Sequence, residues 1–330
     1  MNWKQPNAYA VKHKDEETRA ASRSGGIFTA LSDQVLSEGG LVYGCVLTEE
    51  FVAVHFRAES AEERNRMRGS KYIQSKLGET FKNVKSDLDA ERNVLFSGTS
   101  CQVAGLKKYL GKEYENLFCV DIVCHGVPSK KVWNTYLHWQ EQKNHSRVVG
   151  VDFRNKKDFG WHDHVETLYF ANGKSTSSRI FKNFFYGHMI LRPSCYECPY
   201  KSVTHPGDIT IADYWGIEKA APEFDDNKGV SLVLLNNEIG EKTFEKVKSQ
   251  LRWKQTRLED SLQPPLKAPF PRPENREQFW NDFRNKPFDY MAKKYSDYGL
   301  KNNAKVFLIK IKRKIKKLVV KGGKRNSGII

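Results

Sequence analysis

Val94-Leu-Phe-Ser-Gly-Thr-Ser-Cys-Gln-Val-Ala-Gly-Leu-Lys-Lys-Tyr-Leu110 opens on a short apolar run, turns at residues 97–100, and continues with apolar residues at helical spacing. Leu117-Phe-Cys-Val-Asp-Ile-Val123 follows, continuous and apolar enough for a buried parallel strand. Strand, helix and strand in so short a stretch make a βαβ pattern. That pattern sets the expected fold class: α/β, mixed α+β, with a central sheet built from βα units.

Working outward, residues 41–47, 52–56, 149–154, 165–170, 208–212 and 231–235 read as further strands. Ser129 is a good N-cap for a helix running to about residue 140. Ile27, Leu31, Val35 and Leu36 recur at helical spacing and stop at Gly39-Gly40. Residues 1–22 read as a polar lead-in and 60–68 as a charged helix. Residues 262–273 hold five prolines and read as an extended surface arm, followed by a helix over 274–283. The expected division is a single catalytic domain over 1–255, the Pro-rich arm and helix over 256–300, and a basic tail over 301–330.

At 330 residues, with 39% hydrophobic and 12% aromatic content, the chain can bury a substantial core. No apolar run reaches a membrane span, and the N-terminus lacks the apolar core of a secretory signal. A cytoplasmic protein is therefore expected, with its six cysteines as reduced thiols or ligands. Of the net charge of +16, residues 301–330 supply eleven cations and no acid. The basic character is largely a tail property and does not argue for specific nucleic-acid binding. Within the tail, Phe307, Ile311, Ile315 and Leu318 would share one helix face among lysines. That pattern suits peripheral docking on an anionic membrane, at its inner face in a cytoplasmic protein.

Cys101 and Cys124 each fall at the carboxyl end of an expected strand, where open α/β sheets bind ligands. Arg192-Pro-Ser-Cys-Tyr-Glu-Cys-Pro-Tyr200 adds Cys195 and Cys198 as a CxxC pair. Four thiols so placed suit an iron–sulfur cluster, a zinc site, or unrelated thiols of which two are small buried hydrophobes. Spacing alone leaves all three open. Cys119 and Cys45 read as core. Ser22-Arg-Ser-Gly-Gly26 opens a helix, where backbone N–H groups suit a phosphate or serve only an ordinary capped helix. Gly69-Ser-Lys-Tyr-Ile-Gln-Ser75 could hold a nucleotide or flavin ring, or be a solvated turn.

In chain order, Ser-Gly-Gly at a helix start, Ser-Lys-Tyr-Ile-Gln-Ser, Gly-Thr-Ser-Cys-Gln-Val-Ala-Gly-Leu, Cys-His-Gly-Val-Pro-Ser, CxxC and Gly-Asp-Ile-Thr-Ile-Ala-Asp-Tyr-Trp-Gly-Ile form a set. The set resembles the coenzyme F420 hydrogenase/dehydrogenase beta-subunit family over residues 10–220, and more loosely to about 295. There the arm and helix look like the branch found with bacterial surface-polysaccharide genes.

The resemblance implies a flavin-dependent oxidoreductase with FAD and a 4Fe-4S cluster. By position, Cys101, Cys124, Cys195 and Cys198 look like the cluster ligands. Ser24, Gly25, Gly26, Ser70, Lys71, Tyr72 and Gln74 look like the flavin neighbourhood. Many relatives begin with a cysteine-rich ferredoxin-like segment that this chain lacks, so an external ferredoxin-like donor and a small-molecule acceptor are expected. Relatives usually place proline where Ser100 stands. The competing expectation is a degenerate relative with a structural zinc or an empty four-cysteine site.

Overall fold

The computed structural model describes residues 5–299, 304, 306–309 and 311. Most of the basic tail, and with it the membrane-docking expectation, lies outside the described residues. Eleven strands are described in chain order: β1 Asn7–His13, β2 Leu41–Leu47, β3 Ala53–Ala58, β4 Val94–Thr99, β5 Leu117–Ile122, β6 Val148–Asp152, β7 Glu166–Phe170, β8 Ser175–Ser178, β9 Ile209–Asp213, β10 Ser231–Leu235 and β11 Leu251–Thr256. With the intervening helices they give the expected mixed α/β class. The described residues divide into two compact units, one within 1–127 and 192–271, the other within 128–191 and 272–330. The divisions expected at 255 and 300 run along the chain; these two units are divisions in space.

The first unit is an eight-stranded sheet in the order β11-β1-β10-β9-β5-β4-β2-β3. β2, β4, β5 and β9 run parallel at its centre, and antiparallel strands complete both sides. Strand residues alternate between two buried faces. Val42, Leu95 and Val120 pack with helix Ile27–Ser37 and with Phe244 and Val247 of helix Glu238–Val247. Tyr43, Phe96 and Cys119 pack on the other face with helices Thr80–Asp89 and Ser100–Leu110. Both faces are covered, which is why the central strands read as continuous apolar runs.

The expected polar lead-in is corrected. Residues 7–13 form β1, buried between β10 and β11, and Glu16–Ala21 is a helix capped by Asp15. Lys12 disguises the strand. Its ammonium is satisfied by the Phe224 carbonyl at 2.9 Å and lies 3.6 Å from Asp226. The Pro-rich arm is also more than a surface strap. Leu266 is buried, and Gln263 donates to the Asp213 carbonyl at 2.7 Å.

The second unit carries the sheet β6-β7-β8 and helices Lys130–Asn144, Ile180–Tyr186, Arg276–Asn285 and Phe288–Tyr295. Ser129 caps the first of these through the Val132 N–H, as its sequence suggests. Trp133, Tyr136, Phe153, Phe181, Phe184, Phe279 and Phe288 form an aromatic core in which Trp133 lies 4.8 Å from Phe153 and 4.9 Å from Phe181. Within it, Glu166 on β7 accepts from Ser178 Oγ at 2.6 Å and from the Phe181 N–H at 3.0 Å. Burial raises its carboxyl from 4.5 to about 7.

The unfolded chain therefore gives up this proton at lower pH than the folded one. The stability tied to Glu166 is full below about pH 4.5 and is lost as pH rises through about 7. The loss is roughly 3 kcal/mol at about 1.4 kcal/mol per pKa unit. Glu166→Gln should abolish it. Urea midpoints at about pH 5 and about pH 8 should fall for the native protein and stay level for the variant. Equal falls in both would contradict this.

No helix among the described residues is long and apolar enough to cross a membrane.

Candidate functional site

Two adjacent parallel strands deliver the first two thiols. β4 ends at Thr99, whose N–H donates to Gln102 Oε1 at 3.0 Å and so starts the next helix directly. Cys101 is its second residue, exposed, with its Sγ 3.2 Å from Thr99 Oγ1. β5 ends at Ile122, and Cys124 follows after Val123 donates to the Ile211 carbonyl of β9.

Cys195 lies in a 3-10 turn, Pro193–Glu197, and Cys198 caps its end. Two backbone bonds, Arg192 N–H to Val127 and Cys195 N–H to Arg192, lay it against the loop after Cys124. The Val127 N–H in turn donates to Cys195 Sγ at 3.4 Å. Lys201 closes the far side. Its N–H reaches the Cys198 carbonyl, its ammonium donates to the His125 carbonyl at 2.7 Å, and it sits 4.0 Å over the Phe270 ring.

The thiols feel one another. Burial pushes Cys124 up to about 12, opposed by the Gly126 N–H and reinforced by Cys101 and Cys195. Burial also raises Cys195, with Cys198 and Cys101 adding to the effect and Lys201 opposing it. Left as thiols these groups are protonated; a bound cation would deprotonate them outright. Cys195 is coupled to Cys101, Cys124 and Cys198, and it and Cys124 already receive backbone N–H groups, a donor chemistry that suits a thiolate-ligated cluster. Among the described residues, no three His, Cys, Asp or Glu side chains gather closely enough to hold a single ion. Cys119 is fully buried on the core face, as expected.

The helix that follows the first segment expected around a flavin contacts the residues just ahead of the second. Gly26, at φ +98°, opens helix Ile27–Ser37. Arg68 donates from Nε to Thr29 Oγ1 in its first turn at 3.2 Å, and buried Arg64 donates to the Thr29 carbonyl at 2.9 Å. His13 lies against Gly26, and its buried Nε2 has no hydrogen-bond partner. Ser24 is tied to the Val230 carbonyl at 2.6 Å. Gly25 serves the sheet: its N–H goes to Ser231 Oγ, and a Cβ there would lie 2.1 Å from the Val11 carbonyl oxygen. Ser70 and Tyr72 are half-buried and Gln74 is exposed. Lys71 donates to the carbonyls of Met67 and Arg68 at 2.6 and 2.9 Å. Burial lowers it to about 8, with Cys45 pulling it back up.

Pattern reading misplaces Cys45. It is only partly buried, sits opposite His55 in the β2–β3 register, and has Ser75 and Lys71 as its electrostatic partners. Ser75 also hydrogen-bonds His55 Nδ1, and His55 Nε2 lies 3.1 Å from the Ser97 carbonyl. Burial lowers His55 to about 4. Pattern reading also passes over Lys201 and His205; their only sequence signal is their closeness to the CxxC.

Residues 8–82 match the model for the N-terminal part of the coenzyme F420 hydrogenase/dehydrogenase beta subunit, and residues 91–261 match the model for its carboxyl-terminal part. Among curated proteins none matches. A chain of the F420-reducing NiFe hydrogenase complex from Methanosarcina barkeri, solved as a xenon derivative, is similar in fold. The TM-score is 0.53 at 17% identity, over 77% of this chain and 84% of that one.

Proposed function

Because the chain belongs to the coenzyme F420 hydrogenase/dehydrogenase beta-subunit family, we propose that it is a flavin-dependent iron–sulfur oxidoreductase. Cys101, Cys124, Cys195 and Cys198 hold a 4Fe-4S cluster, and the helix start at Gly26 with residues 68–74 holds FAD. The observation that carries this reading is that hydrogen bonds lay the CxxC segment against the loop after Cys124, with the Val127 N–H on Cys195 Sγ and the buried Lys201 ammonium on the His125 carbonyl. When bound, such groups supply one-electron transfer and its conversion to two-electron chemistry. An external ferredoxin-like protein is the donor and a small molecule the acceptor, in polysaccharide or cell-envelope biosynthesis.

The chain's own residues then have defined tasks. Lys201, 5% exposed, offsets the negative charge of the thiolates. Gly126 and Val127 present N–H groups to sulfur. The N–H groups at the start of helix Ile27–Ser37, with the Arg68 guanidinium beside them, attract a pyrophosphate. Among the described residues the Arg68 side chain bonds Thr29, and its removal should leave folding intact.

Arg68→Met should weaken FAD binding roughly tenfold to a hundredfold, the worth of a hydrogen bond to a charged group. Titration of flavin-free protein by fluorescence quenching reads this directly. An unchanged Kd would move the flavin elsewhere.

A further inference from the structure

Three chain segments carry the four thiols, and a single histidine joins them. His205 follows the CxxC on its own segment. Its Nδ1 lies 3.0 Å from Asp121 Oδ2 on β5, three residues before Cys124, and 3.1 Å from the hydroxyl of Ser100, the residue before Cys101. Asp121 is fully buried, and its other oxygen accepts from Thr210 Oγ1 at 2.6 Å. Gly207 is pressed on Asp121 so closely that a Cβ would fall 2.9 Å from its backbone nitrogen.

Facing a carboxylate, Nδ1 is the nitrogen that carries a proton, shared between Asp121 and Ser100. Nε2 is left over. The side chain is 2% exposed, and Nε2 is buried with no hydrogen-bond partner. A nitrogen so placed is costly unless something meets it. A carboxylate behind Nδ1 with Nε2 free is the arrangement by which proteins aim a histidine at a metal centre.

We propose that His205 is the positioning residue that assembles the four-thiol site, and that its Nε2 hydrogen-bonds the group the thiols hold. The inference rests on the cluster reading above. Through Nδ1, His205 pins the Cys101 helix start and the end of β5 to the CxxC segment. Nε2 is the ring position left to meet that group, because Nδ1 is engaged by Asp121 and Ser100. A donor there lowers the cost of adding an electron to the site.

Three substitutions separate the two roles. His205→Asn keeps an amide nitrogen near the place of Nδ1, His205→Gln reaches toward the place of Nε2, and His205→Leu removes both. Each is purified anaerobically, assayed for iron and acid-labile sulfide, and equilibrated with one-electron redox mediators. His205→Leu should lose most of its iron. His205→Asn should keep its iron, but with a more negative potential, about tenfold in the one-electron equilibrium or 59 mV. His205→Gln should lose iron, with the remainder near the native potential.

His205→Asn carries the test if the leucine variant fails to fold. Full iron at the native potential in either the leucine or the asparagine variant overturns the proposal. Iron loss from His205→Asn equal to that from His205→Leu overturns the Nδ1 staple. Native protein without iron overturns the cluster reading itself, and this inference with it, before any variant is compared.

Discussion

Cys124→Ser protein purified anaerobically is expected to lose most of its iron, at least about tenfold, since even partners one shell further out cost 10- to 100-fold in metal affinity. Cys101→Ser, Cys195→Ser and Cys198→Ser should behave alike. Cys119→Ser should not, although it lies only five positions from Cys124. Its side chain is fully buried with Leu41, Val103 and Leu106 on the core face of β5. Cys45→Ser should also keep its iron, because its partners are Lys71 and Ser75. The contrast between Cys124 and Cys119 is the informative one, as both replacements disturb the same strand and its exit. Equal iron loss from the two would mean that iron follows fold integrity and not ligation.

Gly25→Ala should destabilise the first unit by about 3 kcal/mol or more, at or beyond the upper end for overpacking. The new Cβ would meet backbone on both sides, the Val11 carbonyl oxygen at 2.1 Å and the Ser231 nitrogen at 2.6 Å. Those two residues are paired across β1 and β10, so neither can yield without opening the sheet. Against a typical net stability of about 5–15 kcal/mol, this is a large fraction. Urea unfolding measures it, and a midpoint within error of the native protein would contradict the packing described. Loss of flavin in a Gly25 variant would therefore report on the sheet. Arg68→Met, which gives up the side-chain bond to Thr29, separates ligand from fold.

Much of this was legible in the residues. Leu41–Leu47 and Ser231–Leu235 fall on the strands their apolar runs mark, and Ser129 caps the helix its hydroxyl announces. The turn expected at residues 97–100 is mostly strand, since β4 runs on to Thr99 and the helix starts at Ser100, yet Cys101 and Cys124 still follow the ends of β4 and β5 as expected. β1 was hidden because a charged residue inside it is neutralised by Asp226, more than two hundred residues away. β11 was hidden because its edge position leaves Arg252, Trp253, Lys254 and Gln255 exposed, so no alternation shows. The polar setting of Cys45 depends on strand register, and the bridge at His205 on two long-range contacts. Neither has a local signature.

The most direct measurement is iron, acid-labile sulfide and zinc per chain in native protein purified without oxygen, with the visible spectrum recorded on the same sample. The account predicts about four iron and four sulfide, with broad absorption near about 400 nm beneath flavin bands. A colourless protein holding one zinc and no labile sulfide would contradict it.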